Sequence, residues 1–135
     1  MGGRSSFRAV VVGCSAGGLN ALRRLLAPLP ATFSLPMAVV AHMGQESDGL
    51  LAGLLGECCR LPVVEVIDKM AALPGRVHLC PAGYHLLVEA DETFALSVDP
   101  KVCNVRPSID VLFGSASDVW GPALIGIVLT GANQD

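Results

Sequence analysis

Apolar residues in this chain come in two textures: short unbroken runs bounded by small residues, and leucines at helical spacing with polar residues between them. Residues 7–12 form the first unbroken run, the pattern of a parallel strand buried on both faces. Leu19, Leu22, Leu25 and Leu26 follow at helical spacing, with Asn20, Arg23 and Arg24 opposite, until Pro28 and Pro30 stop the helix. Residues 35–41 predict a second strand. Residues 49–59, behind Ser47 and Asp48 as caps, predict a glycine-softened helix with an apolar face of Leu50, Leu51, Leu54 and Leu55. A third strand is expected at 62–67. Strand, helix, strand, helix, strand is the order of a doubly wound sheet.

The texture then changes. Turns at Leu73-Pro74-Gly75 and Pro81-Ala82-Gly83 flank a short strand at 77–80, and a hairpin of 84–89 with 93–98 closes around Asp91-Glu92. We read this part as a local antiparallel insertion. Pro107 and Ser108 open a third helix reaching Val119, with Asp110 in its first turn, and residues 124–129 form the last strand. The predicted fold is therefore α/β: a three-layer α/β/α, doubly wound, mainly parallel sheet with a small antiparallel hairpin insertion.

Between the first strand and first helix stands Gly13-Cys14-Ser15-Ala16-Gly17, a G-x-S-x-G sequence. Its glycines permit a sharp turn that presents a serine hydroxyl. A helix-capping serine and a phosphate cradle at the helix N-terminus are the competing readings. The ligand crevice of an open parallel sheet lies beyond the carboxyl ends of its strands. Ser15 follows the first strand, His42 the second and Asp135 the last, so all three are expected at one edge. That set suits a Ser-His-Asp hydrolase, with Ser15 as nucleophile, His42 as base and Asp135 orienting the imidazole; backbone N–H groups of Ala16 and Gly17 are placed for an oxyanion hole. Taken singly, His42 and Asp135 also fit a backbone-bonded histidine and a solvated turn residue.

A chain of 135 residues supports one domain, and nine scattered Lys and Arg with a net charge of -3 make no nucleic-acid surface. No apolar run is long enough to cross a bilayer, and the first residues lack the apolar core of a signal peptide, so a cytoplasmic protein is expected. Five cysteines without a C-x-x-C pair fit reduced thiols. Cys14 reads as a small buried residue rather than a second nucleophile. His78 and His85 lack a third nearby ligand and read as structural, so no metal is expected.

Four blocks carry a family resemblance: residues 12–22 around Ser15, Ala41-His42-Met43, Arg106-Pro107-Ser108-Ile109-Asp110-Val111-Leu112-Phe113, and Leu129-Thr130-Gly131-Ala132-Asn133-Gln134-Asp135. In this order, over essentially the whole chain, they resemble the catalytic domain of the chemotaxis protein-glutamate methylesterases, the CheB family. The resemblance implies a cytoplasmic serine hydrolase that releases methanol from glutamate methyl esters on the cytoplasmic domains of methyl-accepting chemoreceptors, and in some members deamidates receptor glutamines. The family triad falls on Ser15, His42 and Asp135, with no cofactor. A backbone oxyanion donor is implied at Ala132, and Arg106 is a substrate-side contact or, equally, an ion-pair partner of Asp110.

The chain departs from the family at Ala16, often threonine, and at Ala132 and Asn133, often methionine and glycine. No receiver domain precedes Ser15, so a separate receiver or regulatory protein is expected to supply control. Family domains continue past the aspartate; residues 1–135 are thus expected to be a C-terminally incomplete catalytic domain, with an exposed sheet edge and weak or no activity. The alternative is a non-catalytic signalling or nucleotide-binding module that keeps the fold.

Overall fold

The computed structural model describes residues 6–15, 17–42, 50–100 and 108–130. In chain order its elements are β1 (Ala9–Cys14), α1 (Leu19–Leu26), β2 (Met37–Ala41), α2 (Leu50–Cys58), β3 (Val63–Glu65), β4 (Val77–Leu79), β5 (His85–Val88), β6 (Phe94–Ser97), α3 (Ile109–Trp120) and, after a short 3₁₀ turn at Gly121–Ala123, β7 (Leu124–Leu129). Among the described residues the main sheet is wholly parallel, in the order β3-β4-β2-β1-β7, and β5 and β6 form a separate antiparallel pair.

The alternation of side chains across β1 divides the interior in two. Val10, Val12 and Cys14 join Met37, Val39, Val77 and Leu79 under α1 and α2; Ala9 and Val11 join Ala38, Val40, Leu86, Phe94, Leu112 and Trp120 under α3 and the β5–β6 hairpin. Three layers result, as expected from the sequence. Leu22 and Leu26 anchor α1 at 0% exposure, each burial contributing about 2 kcal/mol. The chain leaves β1 on the α1 face and returns to β7 from the α3 face, so the winding reverses between these two neighbouring strands. The crevice of a doubly wound sheet opens at that reversal.

Three expectations need correction. β1 runs on through Gly13 and Cys14, because their backbones still pair with Val40 and Ala41 on one side and Val128 and Leu129 on the other. The strand at Val77–Leu79 belongs not to the antiparallel insertion but to the main sheet, lying between β3 and β2. β3 is therefore no neighbour of β2. In α2 only Leu51 and Leu55 are buried, whereas Leu50 and Leu54 are 62% and 42% exposed: the helix docks through a narrow i, i+4 stripe. The caps proposed for it, Ser47 and Asp48, lie outside the described residues. The hairpin, the last strand and the opening of α3 at Ser108 match the sequence reading. β7 edges the sheet among the described residues, with Val128 60% exposed.

His78 and His85 are both buried, each holding one backbone donor and one backbone acceptor. The His78 ring lies beside Phe94; its Nε2 accepts the Leu73 N–H at 3.2 Å, so Nδ1–H donates to the Met37 carbonyl at 2.9 Å. Among the described residues no cluster of His, Cys, Asp and Glu is arranged to hold a metal ion. Burial, helped by the charge of Arg76, holds His78 below the usual imidazole range against the opposing Met37 bond. Its neutral form is thus the folded form. The unfolded chain binds the extra proton first, so this contribution to stability is complete above about pH 6.5 and is lost progressively as pH falls below it. Urea unfolding from pH 7.5 to 5 is predicted to show a decline that is shallower in His78→Gln, the difference approaching about 1.4 kcal/mol per pH unit. Parallel declines in the two proteins would contradict it.

Candidate active site

The motif around Ser15 takes its shape from its glycines. Gly13 lies on the α3 side of β1, where an added Cβ would stand 2.5 Å from Ile109 Cγ2 and 2.9 Å from Cγ1. Only hydrogen fits, and α3 seats its first residue there. Gly17 has φ 87°, a left-handed conformation that side chains resist, and the turn closes with the Gly18 N–H on the Ser15 carbonyl at 3.0 Å. α1 starts directly after, with Gly18 as its N-cap and no side-chain cap bond. Ser15 is therefore not the helix cap that one reading of the sequence allowed.

Parallel pairing fixes what surrounds Ser15. Cys14 is in register with Ala41 of β2 and with Leu129 of β7, so Ser15, His42 and Thr130 leave three neighbouring strands at the same level. Strands so paired run about 4.8 Å apart. The His42 N–H donates to the Cys14 carbonyl at 2.8 Å, which extends the β1–β2 pairing to the histidine itself. From the other side the Leu129 carbonyl accepts both the Ser15 N–H at 3.0 Å and the Ser15 hydroxyl at 3.4 Å. The hydroxyl bond is long and neutral, a resting position from which rotation about χ1 is cheap. With the Ser15 N–H committed to β7, a donor for an oxyanion at this turn has to come from later in the motif.

Sequence reasoning placed seven residues at this site. The structure brings Ser15, Gly17 and His42 to the carboxyl edge; Ala16, Arg106, Ala132 and Asp135 lie outside the described residues. Cys14 is fully buried on the opposite side of β1 from Gly13, and burial pushes its thiol above the usual cysteine range. A thiol held protonated is a poor nucleophile, in keeping with the sequence reading. What the sequence did not reveal is the dependence of the turn on α3: nothing in Ile109 announces that its side chain roofs Gly13. The one available sign was a glycine inside a strand pattern, which often marks close approach of another element.

Comparison with known proteins bears on the family and the fold. A family model described as CheB methylesterase matches residues 10–135. A Leptospira interrogans protein, provisionally named a protein-glutamate methylesterase/protein-glutamine glutaminase, is 44% identical over 130 residues, covering 96% of this chain and 67% of the relative. A Symbiobacterium thermophilum protein of that name without the proviso is 39% identical over 134 residues; the match spans 99% of this chain but 37% of the longer protein. The crystal structure of the Thermotoga maritima CheB methylesterase catalytic domain superposes with a TM-score of 0.88 at 32% identity, over 96% of this chain and 70% of that one.

The seat of Ile109 on Gly13 makes a direct prediction. Gly13→Ala is expected to cost about 1–3 kcal/mol by overpacking, and Gly13→Ala with Ile109→Ala to cost less than the sum of the two single changes. Thermal unfolding of the four proteins measures the coupling; strict additivity would mean that the two positions do not compete for one space.

Proposed function

The chain belongs to the CheB methylesterase family, and from that premise we propose that it is the catalytic unit of a serine hydrolase acting on glutamate methyl esters of chemoreceptors, with Ser15 as nucleophile and His42 as general base and then acid. The observation that carries the reading is the common register of Cys14, Ala41 and Leu129, which delivers Ser15 and His42 from adjacent strands to one edge. Asp135 is proposed to orient the imidazole, backbone N–H groups of Ala16, Gly17 and Ala132 to receive the oxyanion, and Arg106 to meet the substrate.

In this reading Ser15 Oγ leaves the Leu129 carbonyl, gives its proton to His42 and bonds to the ester carbonyl carbon. The tetrahedral oxyanion collapses, the bond to the methoxy oxygen breaks, and His42 returns the proton so that methanol departs. The acyl group is now an ester between Ser15 and a receptor glutamate. Water gives a proton to His42 and attacks; the free carboxylic acid leaves and Ser15 regains its hydrogen. On a receptor glutamine the same steps release ammonia in place of methanol, which matches the double name of the relatives. No step calls on a cofactor.

The partners proposed are the cytoplasmic domains of methyl-accepting chemoreceptors, with a receiver or regulatory protein supplying control, and the proposed compartment is the cytoplasm. No helix among the described residues is long and apolar enough to cross a membrane. Cys14, Cys58, Cys59 and Cys80 are free thiols, in accord with a reducing compartment.

Methanol release from a methylated chemoreceptor cytoplasmic fragment tests the reading. The full-length gene product is predicted to release methanol, and Ser15→Ala and His42→Gln each to lower the rate on the order of a thousandfold or more. Release that survives Ser15→Ala would remove the serine from the mechanism.

A further inference from the structure

His85 occupies a position that neither the proposed chemistry nor a metal accounts for. The residue is 2% exposed, at the start of β5. Its Nδ1 accepts the backbone N–H of Ser108 at 3.1 Å, and its Nε2 lies 3.1 Å from the carbonyl of Pro100. A backbone N–H can only donate and a carbonyl can only accept, so Nδ1 is the accepting nitrogen and Nε2 carries the hydrogen. Ser108 is the N-cap of α3, and its hydroxyl accepts the Val111 N–H at 3.3 Å.

Helices with a serine cap often close the reciprocal bond from within: a Glu or Gln three residues on takes the N–H of the capping residue. Here that place is Val111, which has no acceptor to offer. The imidazole of His85, from the hairpin strand β5, accepts the bond instead. One residue beyond Ser108 stands Ile109, whose side chain fills the space over Gly13, two residues before Ser15. The sequence of contacts from His85 to Ser108, Ile109, Gly13 and Ser15 lies wholly within described residues.

We propose that His85 is a positioning residue for Ser15: its Nδ1 fixes the first turn of α3, the turn sets Ile109 on Gly13, and that seat holds the end of β1 from which the serine projects. This proposal rests on the reading of Ser15 as nucleophile. It gives the hairpin a task beyond covering apolar surface. A second polar link, from the Val88 N–H to Ser115 Oγ at 3.0 Å, holds β5 against the middle of the same helix, so the bond of His85 acts on the helix start alone. It also divides the ring into a half that matters to the serine and a half that does not.

Three variants separate these halves. In His85→Asn an amide oxygen can stand near the place of Nδ1 and keep the acceptor for Ser108 while losing Pro100. In His85→Gln the amide nitrogen can reach the place of Nε2 and keep Pro100 while losing the acceptor. His85→Leu keeps neither. In the full-length gene product, kcat for methanol release is expected to fall about ten- to a hundredfold in the Gln and Leu variants with KM little changed, and to stay within about threefold of the parent in Asn. Amide hydrogen exchange in the first turn of α3 is expected to quicken in Gln and Leu and not in Asn. Equal kcat losses in Asn and Gln, or first-turn exchange that the Gln variant does not quicken, would overturn the proposal; the Asn and Gln pair decides it even if Leu fails to fold. Ser15→Ala assayed alongside keeps the two failures apart: full activity there would sink the nucleophile reading, whatever the exchange data show.

Discussion

Position 13 has room for a hydrogen atom and nothing more, and much of the architecture turns on that restriction. The space a side chain would take belongs to Ile109, so the first residue of α3 rests on the backbone of β1 just before the serine turn. β1 is also paired on both sides, with β2 and β7. Held by backbone pairing in the plane of the sheet and by a helix across it, the end of β1 has little freedom to shift. A nucleophile gains most from such a place, because an error of an ångström in its position costs far more rate than a weak hydrogen bond contributes to stability.

The three histidines show how one side chain serves different ends by burial. His78 and His85 each stand between a backbone donor and a backbone acceptor: His78 joins Leu73 to Met37, and His85 joins Ser108 to Pro100. Losing either ring would take the acceptor from a backbone N–H, which is costly. His42 stands instead half-buried at the rim of the sheet, where its backbone N–H donates to the Cys14 carbonyl. A proton carrier needs that difference. The winding of the sheet supplies it, since the reversal between β1 and β7 opens the crevice beside the serine.

How far the sequence discloses this varies with the kind of signal. The apolar runs, β7 among them, and the helix opening at Ser108 declare themselves locally, and the turn residues bring the hairpin close to its observed limits. The order of strands does not: three residues at Val77–Leu79 say nothing about whether they pair with β2 or with the hairpin, a matter of long-range contacts. Likewise four leucines in α2 offer two overlapping stripes, and docking buries Leu51 and Leu55 only. At the site, G-x-S-x-G points to Ser15 and strand-end logic to His42, but the partner for which Gly13 makes room sits in a helix some hundred residues away in sequence. His85 was legible as a buried histidine and no further, because its meaning lies in which backbone groups it meets.

The central claim is that the turn between β1 and α1 presents an activated serine, and covalent trapping tests it most directly. The full-length gene product is treated with an alkyl fluorophosphonate, which phosphonylates activated serine hydroxyls, and its peptides are mapped by mass spectrometry. The account predicts a single adduct, on Ser15, formed far more slowly in His42→Gln. An adduct on another residue, or methanol release that persists with Ser15 fully phosphonylated, would contradict it.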